Sequence, residues 1–194
     1  METSEFNQQL RAFLDASPTP FHAVSSMGNL LTKAGFTQLN ESDDWILKSG
    51  DKHFVSRNGS SIIAFTVGSE SLKENGLRMT GAHTDSPCLM VKPQPEVSKN
   101  GYFQLGVEVY GGALLNPWFD RDLSIAGRLV YRDGKQQLKQ QLVDFERPVA
   151  MIPSLAIHLD REANKGRTVN AQKDIPPILM LSNEKQDFRA LLAE

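Results

Sequence analysis

The sequence predicts an α/β protein with a β-rich second half, and three observations carry that expectation. Two helical segments precede a group of apolar strands, one strand then breaks at glycine into a His-x-Asp triplet, and from Tyr102 apolar and polar residues alternate strictly. With 194 residues, 40% of them hydrophobic, the chain has material for one large domain or two small ones, folded and soluble.

The elements follow in order. Glu5 to Ala16 carries Phe6, Leu10, Phe13 and Leu14 at the spacing of one helical face, and Ser17-Pro18-Thr19-Pro20 stops it. Thr19 is placed to cap a second helix with Pro20 in its first turn, running from Phe21 to Ala34 and closing at Gly35. Phe36 to Leu39 reads as a short strand entry. Phe54 to Arg57 and Ser61 to Val67 read as two strands joined by an Asn58-Gly59 turn. The second is apolar almost throughout, the pattern of a strand buried on both faces. Leu77 to Ala82 reads as the next strand.

Pro93 and Pro95 then interrupt the chain, so a domain boundary is expected there, with residues 1–94 on one side and a β-rich 95–194 on the other. Phe103, Leu105, Val107 and Val109 on one face predict an antiparallel, half-solvated strand. Leu123 to Tyr131 and Gln136 to Val143 flank Asp133-Gly134, a strong hairpin signal. Ile175-Pro176-Pro177-Ile178 opens a helical tail from about Leu179 to Leu192.

Charge and composition exclude several classes of partner. A net charge of -2 and a pI near 6.1, with no basic stripe, argue against nucleic acid. No apolar run approaches the roughly 20 residues of a spanning helix. Met1-Glu2-Thr3-Ser4-Glu5 lacks the basic and apolar regions of a signal peptide, so a cytoplasmic protein without membrane attachment is expected. Cys88 is the only cysteine, which leaves no internal disulfide and no thiolate zinc cluster. A metal here must be held by His, Asp and Glu.

The sharpest chemistry lies in Gly81-Ala82-His83-Thr84-Asp85-Ser86-Pro87. A neutral imidazole at a strand end is a natural metal ligand, and a carboxylate two residues on can hold its other N–H and fix the tautomer. The plainer reading is a histidine bonded to a backbone carbonyl, but ligand sites lie at the carboxyl ends of strands in open α/β sheets, which tips the balance to a site. Asp120 and Asp122 would share one side of a strand as paired acids or ligands, although an ion-paired strand entry through Arg121 is the better reading. Trp118 and Phe119 read as core or interface. His158, inside the apolar run Ile152 to Leu159, reads as a satisfied core or interface histidine, and His22 and His53 as structural or solvated. Gly111-Gly112 is a tight backbone feature without a phosphate-binding glycine pattern around it.

Five ordered blocks narrow the field. They are Ser17 to Ala23 (SPTPFHA), Gly81 to Pro87, Gly106 to Gly112 (GVEVYGG), Trp118 to Arg128 (WFDRDLSIAGR) and Ile152 to Leu159 (IPSLAIHL). Together they resemble the aspartyl aminopeptidase family of metallopeptidases over nearly the whole chain. The resemblance implies a zinc-peptidase-like catalytic α/β domain, here its N-terminal part, interrupted by a β-rich dimerisation (insertion) domain. Dimers would assemble into a closed tetrahedral dodecamer. By the same resemblance His83 is a zinc ligand and Asp85 the acid that supports it. His158 stabilises the reacting carbonyl in a neighbouring subunit's site, or serves as a metal ligand itself. The implied substrates are peptides with an N-terminal Asp or Glu.

One departure limits the inference. The family's bridging Asp, paired Glu-Glu, further Asp and final His lie beyond the point where this chain stops, and no Glu-Glu dipeptide occurs here. A two-metal hydrolase needs several carboxylates for both ions and a base for the water. The chain therefore reads as an N-terminal fragment, inactive by itself. Two alternatives stay open: a non-catalytic assembly fragment, or a single-metal amidase completed by His83, His158 and an acid.

Overall fold

The structure is a computed structural model and describes residues 2–193. It divides into two compact units, Met1–Ser86 with Ala126–Asp144, and Pro87–Ile125 with Phe145–Glu194.

In the first unit, α1 spans Thr3–Asp15 and α2 spans Pro20–Lys33. Thr19 caps α2 as its sequence position demands, its Oγ1 accepting the backbone N–H of His22 at 3.4 Å, and Gly35 at φ +83° turns the chain away. A three-stranded sheet follows in the order β1 (Thr37–Gln38), β2 (Lys52–Arg57), β3 (Ser61–Thr66), with β1 parallel and β3 antiparallel to β2. Asn58 and Gly59, both left-handed at φ +54° and +63°, begin a three-residue connection between the paired residues Arg57 and Ser61. The buried apolar residues described in this unit are Ala23, Val24 and Phe54, and α2 packs over the Phe54 ring at Gly28. After the short helix α3 (Leu72–Asn75), the unit resumes with the hairpin β6 (Ala126–Arg132) and β7 (Leu138–Asp144).

Two expectations for this unit fail. Leu77 to Ala82 forms no strand, and Leu77 and Met79 are 71% and 83% exposed. An apolar run becomes a strand only when a neighbour takes up its backbone groups, and no described strand does so. β3 is not buried on both faces either, since Ile63 is 67% exposed. Likewise α1 keeps Phe6, Leu10 and Leu14 in solvent.

The second unit holds the larger core. β4 (Cys88–Lys99), β5 (Tyr102–Tyr110) and β8 (Ile178–Leu181) form an antiparallel sheet in the order β4-β5-β8. Alternation along β5 works as read: Phe103, Leu105 and Val107 are buried against Phe119, Ile152, Ile175 and Phe188, with Val109 packed beside them. The interruption expected at Pro93 and Pro95 is instead a bulge inside β4. Register moves from Val91 opposite Val107 to Glu96 opposite Leu105, so residues 92–95 face Gly106 alone. Proline has no ladder N–H to lose at a bulge, and glycine gives it room, because a Cβ at position 106 would lie 3.4 Å from the Pro95 carbonyl oxygen.

The helical tail is also corrected. Residues 178–181 pair with β5, and the helix shrinks to α4 (Phe188–Leu191), capped by the Asp187 carboxylate accepting the Arg189 N–H at 2.8 Å. A short apolar run fits strand or helix equally, and the free side of β5 decides it here. The Asp133 hairpin forms as expected but through a longer loop. Asp133 Oδ1 accepts the N–H groups of Lys135 and Gln137 at 2.8 and 2.9 Å, and Arg132 pairs with Leu138 across five residues. Among the described residues no helix is long and apolar enough to cross a membrane.

Candidate active site

His83 and Asp85 lie in the irregular stretch between α3 and β4, and the structure brings them into contact. His83 Nδ1 is 3.0 Å from the Asp85 Oδ1 and 2.8 Å from the Asp85 carbonyl oxygen. Both oxygens can only accept when the carboxylate is ionised, so the proton sits on Nδ1 and the lone pair of the neutral ring is on Nε2. The ring is 81% exposed. This tautomer suits metal ligation through Nε2, with the acid behind the ring.

A zinc site needs three or four donors. Among the described residues no group of three or more His, Cys, Asp and Glu could hold a metal ion. Among the described residues the His83–Asp85 pair therefore stands as a candidate without further donors grouped around it. No pattern in the sequence marks Thr84 between the two, yet its hydroxyl donates to the Ser60 carbonyl at 2.8 Å, a partner 24 residues away.

His158 belongs to the second unit and corrects the core reading. Ile152, 1% exposed, is the last buried residue of its run, and beyond Pro153 the chain turns outward. His158 is exposed in a turn closed by the Leu159 N–H on the Ala156 carbonyl at 2.8 Å. Leu155, Ile157 and Leu159 are 55%, 46% and 75% exposed beside it.

Asp120 and Asp122 are not aligned on a strand. Asp120 is left-handed at φ +54°, and its Oδ1 accepts the Ser154 N–H at 2.8 Å. The Ser154 hydrogen bonds, with help from the Arg167 charge, hold its carboxyl below the usual range. The arginine acting here is Arg167 and not Arg121: its Nε is 3.2 Å from Asp160 Oδ2, and its guanidinium lies 4.6 Å from the centroid of the buried Phe119 ring. Trp118 packs partly against the same core. His22 is tied to the α2 cap, Nδ1 to Thr19 Oγ1 at 2.7 Å, and His53 lies within β2 with its ring 5.8 Å from that of Phe65. Gly111, at φ +72°, takes the left-handed backbone that favours glycine, beside Pro87.

Known proteins resemble this chain over most of its length. The family model described as aminopeptidase I zinc metalloprotease (M18) matches residues 13–190. A probable M18 family aminopeptidase 2 of Stutzerimonas stutzeri is 58% identical over 193 residues, 98% of this chain and 44% of the relative. The protein of the same name from Ectopseudomonas mendocina is 59% identical over 193 residues, again 98% and 44%. Among solved structures, Chaetomium thermophilum mApe1 superposes with a TM-score of 0.83 at 39% identity, over 92% of this chain and 41% of that one. The mApe1 dodecamer of S. cerevisiae superposes at 0.71 and 31% identity, covering 92% and 48%. The chain thus spans less than half the length of the curated relatives it matches.

Proposed function

The chain belongs to the M18 family of aminopeptidase I zinc metalloproteases, and from that premise we propose that it is part of a metal-dependent aminopeptidase releasing N-terminal Asp or Glu from peptides. The contact between His83 Nδ1 and Asp85 carries the reading, since it leaves Nε2 as the nitrogen for zinc. Asp85 keeps the ring oriented. His158, exposed among apolar side chains, reaches the reacting carbonyl in a neighbouring subunit, where an N–H donor stabilises developing negative charge.

The remaining ligands, a second ion and the general base belong to the longer protein, in which the N-terminal part of this chain contributes to the catalytic domain and its β-rich part to dimerisation. That protein is a cytoplasmic homo-oligomer built from dimers into a dodecamer, and the 194-residue chain alone is inactive. Its acidic substrates call for a cationic partner in the site.

The test uses a polypeptide carrying this chain and extended to the length of the relatives. His83→Ala should lower its zinc content and abolish hydrolysis of an Asp-anilide. Unchanged zinc with normal turnover overturns the proposal. A second reading, a non-catalytic assembly piece, draws on the exposed Leu155, Ile157 and Leu159. Zinc stoichiometry separates the two, with two ions per subunit for the enzyme and none for the assembly piece.

A further inference from the structure

We propose that Thr84 is the positioning residue of the His83–Asp85 pair, and that Arg128 extends this hold to the β6–β7 hairpin through the turn between β2 and β3. The inference rests on the reading of His83 as a metal ligand, but its physical basis is separate. The ring of His83 is 81% exposed and has little packing to orient it. Its direction therefore depends on the backbone of residues 83–85, because one of the two oxygens on Nδ1 is a main-chain carbonyl. That backbone lies outside any helix or strand.

Thr84 is half-buried, and its hydroxyl ties this backbone to the Ser60 carbonyl at 2.8 Å. A β-branched side chain has few χ1 states, so the tether fixes main chain as well as hydroxyl. Its anchor is firm for a stated reason. The carbonyls of a hairpin turn point out of the ladder and need other partners, and Asn58-Gly59-Ser60 has two of them taken by side chains remote in sequence. Ser60 receives Thr84, while the Asn58 carbonyl accepts from Arg128 Nη1 at 2.6 Å and Asn58 Oδ1 lies 3.1 Å from the same nitrogen. Arg128 is itself held, its guanidinium 4.0 Å from the centroid of the Phe21 ring on α2 and Nη1 3.4 Å from Gln140 Oε1 on β7. One three-residue turn thus joins helix, hairpin and the His83 stretch.

The experiment reads the imidazole directly. In the metal-free chain, ¹⁵N NMR of neutral His83 should report the Nδ1–H tautomer, whereas an unconstrained imidazole favours Nε2–H. Thr84→Val should lower the ratio of Nδ1–H to Nε2–H by roughly 2- to 10-fold, the worth of one neutral hydrogen bond, and Thr84→Ser should keep it. Arg128→Met should lower the ratio in the same direction while the cross-strand contacts of Val130 and Gln140 persist. If Thr84→Val does not fold, Thr84→Ala is compared with Thr84→Ser by the same measurement. An unchanged ratio in folded Thr84→Val or Thr84→Ala overturns the proposal for Thr84, and an unchanged ratio in Arg128→Met overturns the extension to the hairpin. Neither result touches the zinc reading, which the His83→Ala zinc content decides independently.

Discussion

Asp85 meets one nitrogen of His83 with two different oxygens, its carboxylate at 3.0 Å and its own carbonyl at 2.8 Å. Asp85→Asn removes the charge and leaves the carbonyl contact, so the fold should persist. In the extended polypeptide, zinc affinity should fall about 10- to 100-fold, the usual cost of an altered partner behind a ligand. Competition against a chelator measures it, and unchanged affinity would return Asp85 to a purely structural role.

His158 stands in an exposed turn, so its replacement should not disturb the core. In the extended polypeptide His158→Phe should retain zinc and lose turnover by roughly 10²- to 10³-fold, the effect of removing one preorganised donor. Mixing it with His83→Ala subunits should restore part of the activity, because some hybrid interfaces pair an intact ligand with an intact donor. Mixed assemblies that form yet stay inactive would refute the cross-subunit role.

Asp120 supplies a pH prediction. Its folded-state carboxyl is held below the ordinary value by Ser154 and Arg167. A depressed pKa contributes stability that is fully present above the unfolded value, about 4, and is lost as pH falls through the folded one. Asp120→Asn keeps an acceptor for the Ser154 N–H and tolerates the left-handed backbone. Wild-type Tm should therefore drop more steeply below about pH 4 than that of Asp120→Asn; parallel curves would count against the hydrogen bond.

Phe103 and Ile63 should behave oppositely despite similar hydrophobicity. Phe103 is 0% exposed, and Phe103→Ala should cost about 3–5 kcal/mol in urea unfolding through lost burial and the cavity left behind. Ile63 is 67% exposed, and Ile63→Ser should stay within about 0.5 kcal/mol. A large loss at Ile63 in this chain would show that its strand face is covered.

What could be read in advance follows the range of each interaction. Thr19 before Pro20, Asn58-Gly59 and the alternation of Phe103, Leu105 and Val107 act over a few residues, and each produced the element expected. The contact of His83 with Asp85 was accessible for the same reason, being two residues long. Leu77 to Ala82 failed because a strand is a relation between two segments, and Ile178 to Leu181 became one only because β5 had a side to share. Ser60 with Thr84 and Asp120 with Ser154 lie 24 and 34 residues apart. No local pattern encodes such pairs; the path of the backbone creates them.

The bulge opposite Gly106 has a further consequence for how this protein behaves in a crowd of its own copies. β4 is an outermost strand of its sheet, and such a strand ordinarily offers a row of open N–H and C=O groups to any passing chain. Pro93 and Pro95 carry no N–H to offer. Arg189 Nη2 occupies the Pro93 carbonyl at 2.6 Å, and the Glu96 carboxylate receives the Phe188 N–H at 3.3 Å, which places α4 along the same border. The four residues that break the ladder also make this border a poor template for adding a foreign strand, so the sheet with the richest core is guarded against aggregation at one of its two margins.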